Sequence, residues 1–159
     1  MPQCWSDWSN GNQNGTEVGP IFCPYPCFGL TISEQDGHGI VNLKIGFLYP
    51  DGAEGWTAWI TENMGGTERP SIRCPAGTFA TGIKVREQTA KGLVNIRLID
   101  LNGNDTPWAT ENQDGVENSP LKATQGSAVT GLVAREQAGY EIINVKIHHQ
   151  PVKIHYQSK

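Results

Sequence analysis

The chain has 159 residues, 16 acidic against 12 basic side chains, and a net charge of -4. That length leads us to expect one domain. The charge excludes a protein that grips nucleic acid through clustered excess lysine and arginine. Charged residues are only 18% while Gly reaches 19 and Trp reaches 5, which excludes a charged disordered chain or a coiled coil and points to compact β structure rich in tight turns. No run of eighteen apolar residues occurs, so no transmembrane helix is expected. The start is polar, with Ser6, Asp7, Asn10, Asn12 and Asn14, so no uncleaved signal peptide is expected.

In chain order, three blocks appear and return twice. The first is Trp8-Ser9-Asn10-Gly11-Asn12 with Gly15 and Glu17, repeated as Trp59-Ile60-Thr61-Glu62-Asn63 with Gly66 and Glu68, and as Trp108-Ala109-Thr110-Glu111-Asn112 with Gly115 and Glu117. The second is Gly29-Leu30-Thr31-Ile32-Ser33-Glu34-Gln35, matched by Gly82-Ile83-Lys84-Val85-Arg86-Glu87-Gln88 and Gly131-Leu132-Val133-Ala134-Arg135-Glu136-Gln137. The third is Asn42-Leu43-Lys44-Ile45, matched by Asn95-Ile96-Arg97-Leu98 and Asn144-Val145-Lys146-Ile147. The last two blocks step by 53 and then 49 residues, which marks internal repeats. The repeats run over about 1–50, 51–103 and 104–150.

Within each repeat the apolar residues alternate. Ile83 and Val85 face one way and Lys84 and Arg86 the other, the period-2 signature of strands with one wet face. Turn signals fall between them: Asp36-Gly37 and Lys91-Gly92 within units, Asp51-Gly52 and Asn102-Gly103 between units. A unit of about 50 residues holds roughly four short strands and cannot close a core alone. Three such sheets facing a common axis can, and that geometry is a three-sided β-prism. The tail Val152-Lys153-Ile154-His155-Tyr156 alternates again, and a closing strand over 151–159 is expected to pair near the N-terminal segment.

The order Trp-x-x-Trp (Trp5 and Trp8, Trp56 and Trp59), then Cys-Pro (Cys23-Pro24, Cys74-Pro75-Ala76-Gly77), then a Gly-aliphatic strand, then Asn-aliphatic-basic-aliphatic resembles the vitelline membrane outer layer protein family. The resemblance spans Trp5 to Ile147. It implies an all-β chain, a β-prism of three Greek-key antiparallel sheets with internal pseudo-threefold symmetry. For relatives in egg envelopes it implies a structural coat. Jacalin-like lectins use the same architecture, an analogy at the level of fold. The chain departs from the family in the third unit, where only Trp108 and Ala123 stand at the matching Trp and Cys places. It departs again in having no Cys after Cys74 to pair with that of Cys-Pro.

Cys4, Cys23, Cys27 and Cys74 are an even set that suggests two disulfides and an oxidising compartment; of the possible pairings we take forward Cys4–Cys27 with Cys23–Cys74. Free buried thiols in a cytoplasmic protein are the alternative. A secreted protein is slightly favoured, and Asn14-Gly15-Thr16 and Asn104-Asp105-Thr106 would then be glycosylation acceptors. Cys23-Pro24-Tyr25-Pro26-Cys27 has no second pair, so no zinc site is expected. His148 and His149 point to opposite faces of their strand, so only one of them can join His155 at any metal; they read as solvated tail residues. No metal and no cofactor are expected.

The Glu-Gln pairs Glu34-Gln35, Glu87-Gln88 and Glu136-Gln137 end a strand before a turn, which puts carboxylates and amides at one rim three times over. A sugar hydroxyl both donates and accepts, and such adjacent groups satisfy it. Trp8, Trp59 and Trp108 offer ring faces for the apolar side of a pyranose. The alternative is that Glu and Gln shape the turn and the tryptophans fill the core. Asn42, Asn95 and Asn144 read as structural residues that hold turns. No nucleophile elbow, zinc-protease or phosphate-loop motif is present. Paired carboxylates such as Glu87 with Glu62 leave a glycosidase open as an alternative. The expectation is a non-enzymatic, lectin-like protein whose partners are glycans or glycoproteins, with up to three related sites strengthened by multivalency. A structural coat protein, a glycan-acting enzyme and a glycan-recognising defence protein or toxin are the other readings. The oligomeric state is left open.

Overall fold

The computed structural model describes residues 4–35, 39–89, 92–137 and 141–152. Among them every regular element is a strand: β1 (Cys4–Trp5), β2 (Thr16–Phe22), β3 (Cys27–Gln35), β4 (Gly39–Leu48), β5 (Glu54–Trp56), β6 (Thr67–Glu68), β7 (Ile72–Arg73), β8 (Ala80–Gln88), β9 (Gly92–Asp100), β10 (Val116–Glu117), β11 (Leu121–Lys122), β12 (Ser127–Gln137) and β13 (Glu141–Pro151). They form three antiparallel sheets. In the first the order is β1-β13-β12-β2. In the second, β5-β4-β3 carries β6 and β7 along the free edge of β3. In the third, β9-β8 carries β10 and β11 along the free edge of β8.

A long hairpin centres each sheet, and all three hairpins are irregular at matching places. One register shift precedes Gly29, Gly82 and Gly131, and a second separates the last basic or Ser residue from Glu34, Glu87 and Glu136. Such bulges raise local twist and let a sheet curl over a core. Val41, Val94 and Ile143 sit at the second shift and are buried. Gly39 has a φ of +89° and lies so close to Leu93 and Val94 that a Cβ there would meet the Leu93 carbonyl. Gly92, at +81°, rests on Ile142 and Ile143 in the same way. The hairpin end of one sheet thus seats on the bulge of the next.

The alternation read from the sequence sorts side chains as expected. Ile32, Leu43, Ile45, Val85, Ile96, Leu98, Ala134, Val145 and Ile147 face the axis and form one core. Each fully buried aliphatic side chain contributes about 1.5–3 kcal/mol. Lys84, Arg86, Lys44, Arg97 and Lys146 lie on the outer faces, half-buried. Gly52 and Gly103 turn with positive φ where Asp51-Gly52 and Asn102-Gly103 were read as turns.

The sheets are offset from the sequence repeats. Each hairpin takes its edge strands from the Trp block of the repeat that follows it: β3–β4 is edged by residues 54–73 and β8–β9 by β10 and β11. The last hairpin, β12–β13, is instead edged by β1 and β2 from the first repeat. Cys4 pairs with His149 and Trp5 with His148, so β13 itself performs the closure expected of the tail. Positions 153–159, and with them most of that expected closing strand and His155, lie outside the described residues, as do the Asp36-Gly37 turn and Lys91.

Two expectations are corrected. The four cysteines are free, so neither Cys4–Cys27 nor Cys23–Cys74 forms. The Cys27 thiol donates to the Gly29 carbonyl at 3.3 Å. Cys23 and Cys74 follow β2 and β7 as equivalent small apolar residues of the core, where the third repeat has Ala123. Burial pushes the Cys23 and Cys74 thiols up to about 12 and that of Cys27 well above its ordinary value. His148 and His149, read as solvated, are buried within β13. The His148 ring lies between Trp5 (4.8 Å) and Phe22 (4.9 Å), with Nδ1 2.9 Å from the Thr130 hydroxyl.

Candidate functional site: a cleft between the second and third sheets

The loops that carry Trp8, Trp59 and Trp108 are held by the three buried asparagines. Asn95 Nδ2 donates to the carbonyls of Thr110 (2.9 Å) and Asn112 (2.8 Å), and its Oδ1 accepts from the amides of Ile96 and Thr110. Asn42 does the same for Thr61 and Asn63, and Asn144 for Asn10 and Asn12. Beyond this lock, side chains bond amides two residues ahead, Thr110 to Asn112 and Asn112 to Asp114. Asn42, Asn95 and Asn144 are therefore structural, as read.

The tryptophans lie outside the core, on the outer faces and half-buried. A cation from the sheet beneath sits over each ring: Lys146 over Trp8 at 4.8 Å, Lys44 over Trp59 at 4.7 Å and Arg97 over Trp108 at 4.2 Å. A cation over a ring face is attracted by its quadrupole and fixes the ring, so one face at most is left for a ligand. The third unit lost its first Trp, and Asp105 stands there instead. Its carboxylate pairs with Lys84 (3.0 Å) and Arg97 (3.1 Å).

The Glu-Gln pairs stand at the same end of all three hairpins, yet the carboxylates part company. Glu34 enters a cleft of about 790 Å³ between the edge of the second sheet and the loop of residues 107–112 in the third. The walls include Glu34, Arg69, Ser71, Arg73, Trp108 and Glu111. Arg69 Nε binds Glu34 at 2.7 Å, and Arg73 makes a paired contact with Glu54 at 2.6 and 3.1 Å. That contact holds the Glu54 carboxyl below its usual range. Ser71 and Thr31 share a hydrogen bond of 2.6 Å. This edge strand is broken: β6 ends at Glu68 and β7 begins at Ile72, which opens the wall.

Glu87 instead takes a 3.3 Å bond from Asn118. Glu136 faces Thr61, and partial burial raises its carboxyl above the ordinary value. There the corresponding edge is the unbroken β2, and Gly19 lies against Ile60, which narrows the groove. Gln35, Gln88 and Gln137 end β3, β8 and β12, beside the loops; Gln35 Oε1 approaches Gly65. Of the nine residues singled out in the sequence, the cleft brings together Glu34 and Trp108, from different repeats. The others line separate grooves or outer faces. Arg69, Ser71, Arg73 and Glu111 were missed. For Arg69 and Ser71 the signal was divergence between aligned repeats, since Arg69 corresponds to Asn118 and Val18 and Ser71 to Pro120 and Pro20, whereas Glu111 matches Glu62 and carried no such signal.

No protein-family model matches the sequence, and no curated protein matches it. Solved structures do. The chain is similar to Malaysian banana lectin at 14% identity and a TM-score of 0.64, over 94% of this chain and 99% of that one. It is similar to the Calsepa lectin solved in complex with a bisected glycan, at 13% identity and a TM-score of 0.69, over 94% and 99%. It is also similar to a mannose-binding jacalin-related lectin from Ananas comosus, at 16% identity and a TM-score of 0.64, over 94% and 98%. The fold is the β-prism of the jacalin-related lectins.

Proposed function

We propose that the chain is a non-enzymatic carbohydrate-binding protein whose glycan occupies the cleft between the second and third sheets. The observation that carries this reading is the meeting of Trp108, Glu34 and Arg69 in one open groove on a fold shared with lectins. A pyranose offers an apolar C–H face and a ring of hydroxyls. Trp108 supplies a rigid aromatic wall, Glu34 an acceptor, and Arg69 and Ser71 donors. Glu34 is already paired, so a hydroxyl joins an existing network and leaves no buried charge alone. The three repeats are then unequal, with one main site per chain. Glycans or glycoproteins are the partners, and strength at surfaces comes from presenting several chains or several sugars.

The vitelline membrane outer layer resemblance supports a second reading, a structural coat protein, on the strength of the repeated Trp, Gly and Asn blocks. It keeps an extracellular setting as a proposal, now without disulfides behind it. The two readings separate by substitution. For a lectin, Trp108→Ala lowers saccharide affinity about tenfold or more while the melting temperature moves little. For a coat protein the same change alters stability or assembly alone, and no sugar competes.

A further inference from the structure

In two of the three units an arginine from the hairpin grips the loop above it. Arg86 Nη2 donates to the carbonyls of Gln113 (2.9 Å) and Gly115 (2.8 Å), and its Nε to that of Asp114 (3.1 Å). Arg135 donates to the carbonyls of Asn14 and Gly15, each at 2.9 Å. Both guanidinium groups also lie near the loop tryptophan, 6.0 Å from Trp108 and 5.9 Å from Trp8. The cross-strand neighbour of each arginine is a glutamate, Glu117 and Glu17.

The second sheet keeps every acceptor and lacks the donor. Ser33 stands where Arg86 and Arg135 stand, with Glu68 across from it. The matching loop carbonyls belong to Met64, Gly65 and Gly66. The loop sits in the same place, because Gly66 approaches the Glu34 carbonyl as Gly115 approaches that of Glu87 and Gly15 that of Glu136. Gln35 Oε1 adds a further acceptor beside Gly65. Among the described residues no side chain donates to these carbonyls, and Glu68 has no ion pair. Trp8 has two cations about it, Lys146 and Arg135, and Trp108 has Arg97 and Arg86; among the described residues Trp59 has Lys44 alone. A second cation is therefore compatible with the first at this place.

We infer that the loop of residues 64–66, with Glu68 and Trp59, receives a guanidinium group carried by another molecule, as on an arginine side chain of a partner polypeptide. A planar group with several N–H donors matches a fan of carbonyls that an ammonium point charge does not. The site is distinct from the glycan cleft.

The test is an amide-resolved NMR titration of the ¹⁵N-labelled chain with N-acetyl-arginine amide, its neutral isostere N-acetyl-citrulline amide, and N-acetyl-lysine amide. Saturable shifts at Gly65, Gly66 and the Trp59 indole are expected, with arginine at least about tenfold tighter than citrulline and tighter than lysine. Ser33→Arg fills the site from within: binding is lost and the melting temperature rises. Glu68→Gln leaves the loop intact and weakens binding several-fold, which keeps the idea testable if Ser33→Arg fails to fold. Equal shifts with citrulline, retained binding in Ser33→Arg, or no saturable shift up to tens of millimolar would overturn it. An arginine-bearing peptide that binds no tighter than the free derivative makes a small guanidinium compound the ligand in place of a polypeptide.

Discussion

Two grooves at equivalent positions of the prism end in opposite states. Between the second and third sheets the edge strand breaks after Glu68, Arg69 pairs with Glu34, and Trp108 lines an open cleft. Between the first and second sheets the edge strand β2 is continuous, Gly19 lies on Ile60, and Glu136 faces Thr61. The backbone plan beneath them is the same, down to the bulge before each glutamate. The difference lies in which residues the repeats no longer share. The repeated part builds the frame, and the diverged part makes one groove unlike the other.

The frame should break equally wherever it is cut. Replacing Asn95 by Ala removes four hydrogen bonds and strands buried loop groups, and a loss of about 3 kcal/mol is expected. Asn42→Ala should cost a similar amount, since its four bonds match. Denaturant unfolding of the two variants measures both, and a large gap between them would deny the frame its symmetry.

The grooves should respond unequally. Trp108→Ala is expected to lower saccharide affinity about tenfold or more, while Trp8→Ala, over Lys146 of the first sheet and outside the cleft lining, changes it less than about twofold. Glu34→Gln should weaken binding and Glu136→Gln should not. Isothermal titration with the best sugar from an array reads all four. Equal losses at both grooves would restore three equivalent sites.

Acid sharpens the comparison from the side of the first sheet. Burial lowers the affinity of His148 and His149 for protons, and for His148 the charge of His149 adds to it. Both histidines are neutral in folded and unfolded chains at high pH. As pH falls below about 6.5 the unfolded chain takes up protons first, so folding stability is lost there. Glu136 acts oppositely, because its raised carboxyl favours the folded state as pH falls toward the usual glutamate range. Thermal melts from pH 7.5 to 5 should show a fall in melting temperature that shrinks in His148→Phe, a ring already stacked between Trp5 and Phe22. A wild-type melting temperature flat over that range would contradict this.

Much of the frame was legible because it repeats. Gly29, Gly82 and Gly131, the Asn set and the alternating aliphatics each recur in order, and together they specify three antiparallel hairpins around one core. The assignment of edges was not legible. A strand's partner depends on chain closure, and the swap of each Trp block onto the preceding hairpin leaves no local signal. The buried histidines were misread because aromatic cover from Trp5 and Phe22 comes from strands far away in sequence. The cysteines misled because an even count says nothing of Cys27 donating its thiol hydrogen to a carbonyl. At the site, repetition pointed to Glu34 and Trp108 but gave them the same weight as their counterparts. Arg69 and Arg73, which make one groove unlike the others, stand where the repeats disagree.

The most direct test of the central claim is a glycan array probed in parallel with the wild-type chain, Trp108→Ala and Trp8→Ala at physiological salt. The account predicts a sugar-competed signal that survives in Trp8→Ala and is lost in Trp108→Ala, with all three proteins folded. A blank array for the folded wild type, or a signal that Trp108→Ala leaves intact, would contradict it.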